Sequence, residues 1–298
     1  MELPYTILDV FTKNRLSGNP LAVVFDSDHL FDGRMQEIAK EFNLSETVFV
    51  QSPKNERHVA TLRIFTPSAE LPFAGHPTVG TAVLLALKQR ITAVRLEEQV
   101  GTIVAITERT SKVSGHARFS LPQLPERIGD APAPEAIATA LGLQADDIGV
   151  AGLEPAIYSA GVPFVLVPVK DEQTLASIKL ERRGWRSVFN GASQKVYAFT
   201  LAQNDRNALI AARAFVYQDD LKEDPATGSA AAALCGLLSE HYFETDGLTD
   251  FIVTQGKEMG RPSFIEAQVK RENGLLTHAG IGGHAIIVAE GKLYVDDE

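Results

Sequence analysis

Short apolar or alternating runs, separated by turn residues, dominate this chain and predict many strands. Their β-branched residues suit a pleated, half-buried surface. In the first half the predicted strands are Tyr5–Phe11, Leu21–Phe25, Glu46–Val50, Val59–Phe65, Val94–Leu96, Thr102–Thr107 and His116–Leu121. In the second half they are Ala156–Ser159, Phe164–Val169, Lys195–Leu201, Phe251–Thr254, Ser263–Arg271, Leu275–Gly280, His284–Glu290 and Lys292–Val295.

Two helices stand out among these strands because their residues are small or apolar on every side. One is predicted from about Thr78 to Lys88, and the other from about Ala226 to Glu240. A helix that is apolar all round is buried. Since strands and long helices do not alternate regularly, a doubly wound parallel sheet is not expected. The pattern predicts an α+β fold in which a curved, mostly antiparallel sheet or barrel wraps each central helix.

Shorter helices are predicted elsewhere in the chain. One follows Asp32, an N-cap candidate, because apolar residues then recur at helical spacing as far as Asn43, a suitable C-terminal stop. Others are predicted near Pro134–Leu141 and near Glu172–Lys179.

The segments that open the two buried helices resemble each other and lie half a chain apart. Aligning Gly80 on Gly228 gives an offset of 148 in a chain of 298 residues. The same offset sets His76 opposite Asp224. A repeat at half the chain length predicts two related lobes.

The similarity of the two halves extends beyond these glycines. Arg63-Ile64-Phe65 and Arg213-Ala214-Phe215 precede the two segments at comparable distances. We therefore predict an N-terminal lobe over residues 1–125 and a C-terminal lobe over residues 126–298, with the last strand free to pack back on the first lobe. Gln123–Pro134, which is rich in proline, is the candidate linker.

Composition and charge narrow the class of protein. The chain is 45% hydrophobic and 22% charged, which is typical of a globular protein. Its net charge of −10 argues against a nucleic-acid partner, which usually requires a basic face. The single cysteine, Cys235, excludes a disulfide framework and a cysteine-based zinc site, and we expect it in the core. No signal-like or membrane-spanning run is seen, so the expected setting is the cytoplasm.

Three titratable residues are the candidates for chemistry. Glu46 begins an apolar strand, where a carboxylate suits proton transfer near neutral pH. His76 and Asp224 each precede a proline at a helix start, and a pair of titratable groups facing one substrate suits the movement of protons. Free N–H groups at helix starts favour anions, so the expected partner is a small anionic metabolite. The seven histidines show no metal-binding spacing, and no metal is expected.

Segments throughout the chain carry a family resemblance: Ser17–Val24, Glu41–Phe49, Arg63–Pro67, Glu70–Thr78, Glu223–Ala231, Gln255–Ser263 and the closing Gly282–Gly291 hairpin. On these segments the chain resembles the phenazine-biosynthesis isomerase (PhzF-like) family, which is similar in fold to diaminopimelate epimerase. The resemblance covers essentially the whole chain.

This resemblance implies two barrel-like lobes with the site between them, and proton transfer without a cofactor. Glu46 would take a proton from one carbon and return it to another, while His76 and Asp224 would hydrogen-bond the substrate. The backbone groups implied to hold its carboxylate lie near Gly75, Gly228 and Ser229. Homodimers are common in the family. Its name-giving member isomerises trans-2,3-dihydro-3-hydroxyanthranilate by shifting a proton and a double bond.

Diaminopimelate epimerase differs in one respect, because two cysteines flank its substrate, one at each helix start. Neither helix start carries Cys here, so a two-thiol mechanism is not available. Two alternatives to the isomerase remain open. One is an epimerase or racemase of a small amino or hydroxy acid that uses Glu46 and Asp224 instead of thiols. The other is a catalytically silent carboxylate-binding protein, against which the intact Glu46, His76 and Asp224 argue.

Overall fold

The computed structural model describes residues 1–191, 193–202, 209–217 and 220–296. The chain divides into two compact units: unit 1 comprises Met1–Pro122 with Gly282–Glu298, and unit 2 comprises Gln123–Ile281. The predicted lobes were residues 1–125 and 126–298, with the last strand free to pack back on the first lobe, and in the structure the chain from Gly282 groups with unit 1. The physical reason is hydrogen bonding, because the chain from Ala285 to Tyr294 pairs antiparallel with Glu2–Val10.

Strands make up most of the regular structure, and the predicted α+β class is confirmed. Within the described residues the helices are α1 (Asp32–Phe42), α2 (Gly75–Gln89), α3 (Pro134–Leu141), α4 (Glu172–Ser177), α5 (Trp185–Val188) and α6 (Gly228–His241). The strands are β1 (Glu2–Val10), β2 (Asn19–Val24), β3 (Glu46–Gln51), β4 (Ala60–Phe65), β5 (Glu70–Leu71), β6 (Ala93–Glu98), β7 (Gly101–Arg109), β8 (Ser114–Ser120), β9 (Glu126–Asp130), β10 (Ala156–Ser159), β11 (Pro163–Pro168), β12 (Lys195–Leu201), β13 (Ile210–Tyr217), β14 (Leu221–Asp224), β15 (Gly247–Gln255), β16 (Ser263–Glu272) and β17 (Leu275–Tyr294).

The strands of unit 1 close into a ring around α2. Along the ring β1 pairs with β2, β2 with β3, β3 with β4, β4 with β6, β6 with β7, and β7 with β8. β17 pairs with both β8 and β1 and closes the ring. The β2–β3 and β4–β6 pairs are parallel, and the others with a recorded register are antiparallel. Closure leaves this sheet without free edges.

Helix α2 fills the ring, as its composition predicts. Every residue from Gly75 to Leu85 is buried, and the helix packs against β1, β2, β3, β6, β7 and β8. The helix begins three residues before the predicted start at Thr78, because Ala74 is the last residue with extended backbone. Pro77 therefore lies in the first turn, where its missing N–H breaks no helical hydrogen bond.

Unit 2 likewise has its own sheet, which packs against the buried helix α6. Its strands pair in the order β9, β10, β11, β12, β13, β15 and β16, with β14 also bonded to β13. Helix α6 packs against β9, β10, β11 and β16, and nearly all of its residues are buried. Cys235 lies in this helix, where burial raises the pKa of its thiol to about 12. The thiol is therefore a core residue, as expected.

Several predicted elements differ from the observed ones. The candidate linker Gln123–Pro134 contains β9, which pairs with β10. The three strands predicted after Leu275 form one strand, β17. Gly282 lies inside it because the neighbouring strand approaches closely: a Cβ there would lie 2.7 Å from the Cβ of Arg118. The short strands β5 and β14 were not predicted.

Helix α1 begins at Asp32 itself, one residue earlier than the predicted cap implied. Phe31, not Asp32, is the N-cap residue, and Asp32 instead accepts a hydrogen bond from Nη2 of Arg63 at 3.0 Å. The predicted stop is confirmed, because Asn43 adopts a left-handed backbone with φ of 49°.

The repeated Arg-x-Phe triplet has the same structural role in both units. In unit 1 the guanidinium of Arg63 on β4 binds both carboxylate oxygens of Glu70 on β5. In unit 2 Arg213 on β13 binds both oxygens of Glu223 on β14, at 2.9 and 2.8 Å. Such forked pairs fix geometry as well as contributing energy. Each pair ties a short strand to the sheet immediately before the buried helix of its unit.

The carboxyl group of Glu98 is buried beside the first turn of α2. Glu98 ends β6, and its Oε1 lies 2.7 Å from Oγ1 of Thr78, which also lies 2.8 Å from the carbonyl of Ala74. A hydroxyl has only one proton, so both contacts are satisfied when Glu98 itself carries a proton. Burial raises the pKa of Glu98 to about 8, and the Thr78 contact opposes the rise. Glu98 is therefore neutral at pH 7.

The turn after β15 is held by an unusually close backbone contact. Gly256 has φ of 76°, and a Cβ on it would lie 2.5 Å from the carbonyl oxygen of Pro225 and 2.4 Å from that of Arg261. Ser263 Oγ also donates to the Pro225 carbonyl at 3.1 Å. The end of β15 is thus fixed against the segment that leads into α6.

Glu98→Gln should remove a pH dependence from the stability of the protein. The folded state holds a proton that the unfolded state releases above its ordinary pKa of 4.5. The contribution of Glu98 to the free energy of unfolding is therefore fully present below about pH 4.5. It is lost as the pH rises towards 8, at up to about 1.4 kcal/mol per pH unit. Thermal unfolding between pH 5 and 8 should show a flatter dependence for the variant. Glu108→Gln, at an exposed position on β7, should follow the wild type; parallel curves for all three proteins would contradict a buried neutral Glu98.

Gly256→Ala should destabilise the protein more than Gly260→Ala. Both glycines have positive φ, 76° and 69°, so each substitution incurs about 1 kcal/mol of backbone strain. Only Gly256 has backbone atoms in the way, since nothing lies within 4 Å of a Cβ at Gly260. Urea unfolding should therefore show a larger loss for Gly256→Ala by about 1–3 kcal/mol. Equal losses would show that the contact with Pro225 relaxes freely.

Candidate active site

Glu46 lies at the start of β3, immediately after α1 ends. β3 runs parallel to β2, with Glu46 beside Leu21. The next residues, from Thr47 to Phe49, are buried, whereas 17% of the Glu46 side chain is exposed. The carboxylate therefore stands at the mouth of an apolar strand, within reach of both the interior and solvent.

His76 brings an imidazole to this carboxylate. It is the second residue of α2, directly after Gly75, and only 4% of its side chain is exposed. Nδ1 of His76 lies 3.0 Å from Oε2 of Glu46. Nε2 is buried and has no hydrogen-bond partner among the residues that the structure describes. An unsatisfied buried polar atom costs about 1–3 kcal/mol, so a ligand group placed against Nε2 would be stabilising.

The Glu46–His76 pair has the parts that proton transfer requires. A carboxylate accepts protons, and a protonated imidazole donates at both ring nitrogens, so one nitrogen can hold the carboxylate while the other donates to a ligand. The first turn of α2 adds backbone N–H groups, since its N-cap residue, Ala74, has no side chain that could bond to them. An anionic ligand beside Nε2 would thus meet a positive helix end.

The remaining predicted residues form a second group in unit 2. Asp224 ends β14, and its Oδ2 accepts a hydrogen bond of 2.5 Å from Oγ1 of Thr227. Gly228 and Ser229 are the first two residues of α6; Gly228 is buried and Ser229 is partly exposed. A carboxylate and a helix start therefore occur together in unit 2, as the imidazole and a helix start do in unit 1.

The predicted correspondence between His76 and Asp224 is wrong. Asp224 pairs across the sheet with Ala214 on β13. At the matching place in unit 1, Leu71 of β5 pairs with Ile64 of β4. The structural counterpart of Asp224 is therefore an apolar residue.

Ser229 is the structural counterpart of His76, because each is the second residue of the buried helix of its unit. Aligning Gly80 on Gly228 placed a residue from the second turn of α2 on the first residue of α6. The paired residues Ala214 and Asp224 are ten positions apart in the chain, whereas Ile64 and Leu71 are seven apart, so the offset between the two halves changes along the chain. The two units have related folds but offer different chemical groups.

Thr227 occupies the N-cap position of α6 without capping it. A threonine there usually accepts a hydrogen bond from the helix backbone. Here its hydroxyl donates to Asp224 and accepts from Nε2 of Gln255 at 3.1 Å, and no side chain caps the helix. The Thr227 carbonyl accepts from the N–H of Ala230, so the N–H groups at the very start of α6, from Gly228 and Ser229, face the region where a ligand group could bind.

Gln255 was not among the predicted site residues. It ends β15, is 2% exposed, and bonds to both Asp224 and Thr227. The sequence separates it from Asp224 by a helix and a strand, so no local spacing connects them. The Gln-Gly step at the end of an apolar strand was the available signal, because it marks a close backbone approach.

No group of three or more His, Cys, Asp or Glu side chains is placed to hold a metal ion in the described part of the chain. None of the helices described has both the length and the apolar run needed to cross a bilayer.

Comparison with known proteins assigns the chain to a family. The family model described as "Phenazine biosynthesis-like protein" matches residues 8–291. An uncharacterized isomerase of Mesorhizobium japonicum is 42% identical over 98% of both chains. The trans-2,3-dihydro-3-hydroxyanthranilate isomerase of Pseudomonas fluorescens is 33% identical over 97% of this chain and 98% of its own.

A solved structure agrees with these sequence matches. The phenazine biosynthesis protein of the PhzF family from Bacillus anthracis superposes with a TM-score of 0.87 at 25% identity, over 99% of this chain and 100% of its own. The family model, the relatives and the shared fold agree along the whole chain. The chain belongs to the phenazine biosynthesis-like (PhzC-PhzF) family.

Proposed function

We propose that this protein is an isomerase that moves a proton, and with it a double bond, within a small carboxylate-bearing metabolite. Relatives that match along the whole chain are named isomerases. The substrate we propose to test first is trans-2,3-dihydro-3-hydroxyanthranilate, the compound in the name of the relative from Pseudomonas fluorescens.

The contact between Glu46 and His76 is the observation that carries this proposal. A carboxylate 3.0 Å from an imidazole is suited to proton transfer. The other ring nitrogen of His76, Nε2, is buried and has no partner in the described part of the chain. A structural histidine in a core normally has both nitrogens bonded. The unpartnered Nε2 therefore supports a role towards a ligand.

The proposed reaction balances in two steps. The carboxylate of Glu46 removes a proton from one substrate carbon, and the electron pair of that C–H bond shifts the neighbouring double bond. The carboxylic acid then returns its proton to the carbon at the far end of the shifted system. Since substrate and product have the same atoms and electrons, the reaction needs no redox cofactor, and we propose that none takes part.

The other residues are proposed to hold the substrate. Nε2 of His76 hydrogen-bonds a substrate heteroatom, and backbone N–H groups at the start of α2, from Gly75, favour an anionic group. We assign a hydrogen-bonding role to Asp224 and a carboxylate-binding role to the start of α6 at Gly228 and Ser229. The homodimer and the cytoplasmic setting expected from the sequence remain predictions.

Glu46→Gln should fold normally but lose turnover by about 10²–10⁴-fold, because the amide cannot accept the proton from carbon. The reaction is followed by proton NMR of trans-2,3-dihydro-3-hydroxyanthranilate in D₂O. The wild type should move the double bond and incorporate deuterium. Glu41→Gln, an exposed glutamate on α1, is the matched control and should behave as the wild type.

Other outcomes of this NMR experiment point to other functions. Undiminished turnover in Glu46→Gln would refute the assigned acid/base. Deuterium uptake at a stereocentre without double-bond migration, in a panel of small amino and hydroxy acids, would favour an epimerase or racemase. Binding of carboxylates without exchange in any compound of the panel would indicate a silent binding protein and overturn the isomerase.

A further inference from the structure

The carboxylate of Asp224 is held by a buried side-chain network in unit 2. The network consists of Gln255, Thr227 and Tyr197, and each member lies on a different element or segment from the others. Gln255 ends β15, Thr227 precedes α6, and Tyr197 lies on β12. Asp224 is thus not oriented by its own strand alone.

The amide of Gln255 uses its whole hydrogen-bonding capacity. Its Oε1 accepts from the backbone N–H of Thr227 and from the Tyr197 hydroxyl, both at 3.1 Å. Its Nε2 donates to the carbonyl of Asp224 at 2.7 Å and to Oγ1 of Thr227 at 3.1 Å. Two donors and two acceptors are all that an amide side chain offers. Gln255 is 2% exposed, so no water is needed to satisfy it.

The chemistry of the partners allows only one orientation of this amide. A flipped amide would set its NH₂ against the N–H of Thr227 and its oxygen against the carbonyl of Asp224, and both contacts would be repulsive. Burial raises the pKa of Tyr197, and the charge of Asp224 adds to the rise, so the phenol keeps its proton and donates. The network therefore has a fixed direction of donation.

That direction determines what Thr227 does. Its hydroxyl already accepts from Gln255, so its single proton is directed at Oδ2 of Asp224, 2.5 Å away. Gln255 also fixes the Asp224 carbonyl and the Thr227 N–H, the two backbone groups on either side of Pro225 and Ala226. The close contact of Gly256 with the Pro225 carbonyl keeps the end of β15 in place.

We propose that Gln255 is a positioning residue that acts through Thr227 to hold the Asp224 carboxylate in its working orientation. This inference rests on the proposed function, in which Asp224 hydrogen-bonds the substrate. A buried amide with fully used bonds at a carboxylate needed for turnover is the kind of support that fixes a site to within a fraction of an ångström. Misplacement of such a group by about 1 Å can cost about 100-fold in rate.

The test compares Gln255→Met with Asp224→Asn in the full-length protein. Methionine keeps the length of glutamine but makes none of its four hydrogen bonds. We expect Gln255→Met to lower kcat by about 10–100-fold with little change in KM, and the double variant to be no slower than Asp224→Asn alone. Gln173→Met, at an exposed position on α4, is the matched control and should keep the wild-type kcat.

A second pair of variants decides the question if Gln255→Met does not fold. Thr227→Val removes the hydroxyl that is directed at Asp224, whereas Thr227→Ser keeps it. Thr227→Val should show the same loss in kcat, and Thr227→Ser should restore most of it. If the role of Thr227 were purely structural, both variants would be less stable, and their kcat values would not differ in this way.

The outcomes separate the two proposals. If the wild type turns over no compound of the panel, or if Asp224→Asn keeps full activity, the proposed function fails and this inference fails with it. If Asp224→Asn loses turnover while a folded Gln255→Met, or Thr227→Val, keeps it, the proposed function stands and the positioning role is refuted.

Discussion

Burial of two helices that are apolar on every side is the constraint on which the rest of the structure depends. Such a helix is stable only when sheet surrounds it, and in unit 1 eight strands close around α2. Enclosure also buries the first turn of the helix. It is this burial that places His76 in the interior and leaves its Nε2 dependent on a ligand for a partner.

Several polar side chains that hold the two buried helices in place are tightly paired. Gln255 uses every bond that it can make, and the Arg63–Glu70 and Arg213–Glu223 pairs are forked. Partly satisfied networks in a low-dielectric interior are costly. Nε2 of His76 is one of several buried side-chain atoms without a partner among the described residues, and it differs from the others because its ring contacts the carboxylate of Glu46 through Nδ1.

The sequence predicted the features that depend on local pattern. It identified the two buried helices, most strands, and Glu46 at the mouth of an apolar strand. It did not predict the features that depend on strand register or on contacts between residues far apart in the chain. The two-residue strand β5 has no periodicity to detect, and the glycines of β17 suggested breaks where close packing requires them. Glu98 follows another glutamate, Glu97, in the sequence, and only the closed ring shows that Glu98 points inward.

The proposed function depends most directly on a substrate that occupies the unpartnered Nε2 of His76. The most direct test is ¹⁵N NMR of histidine-labelled protein titrated with trans-2,3-dihydro-3-hydroxyanthranilate, with the His76 signals assigned by His76→Gln. We expect the Nε2 resonance of His76 to shift on saturation, while the Nδ1 resonance, held by Glu46, changes much less. A ligand that binds to saturation and leaves Nε2 unchanged would contradict the claim.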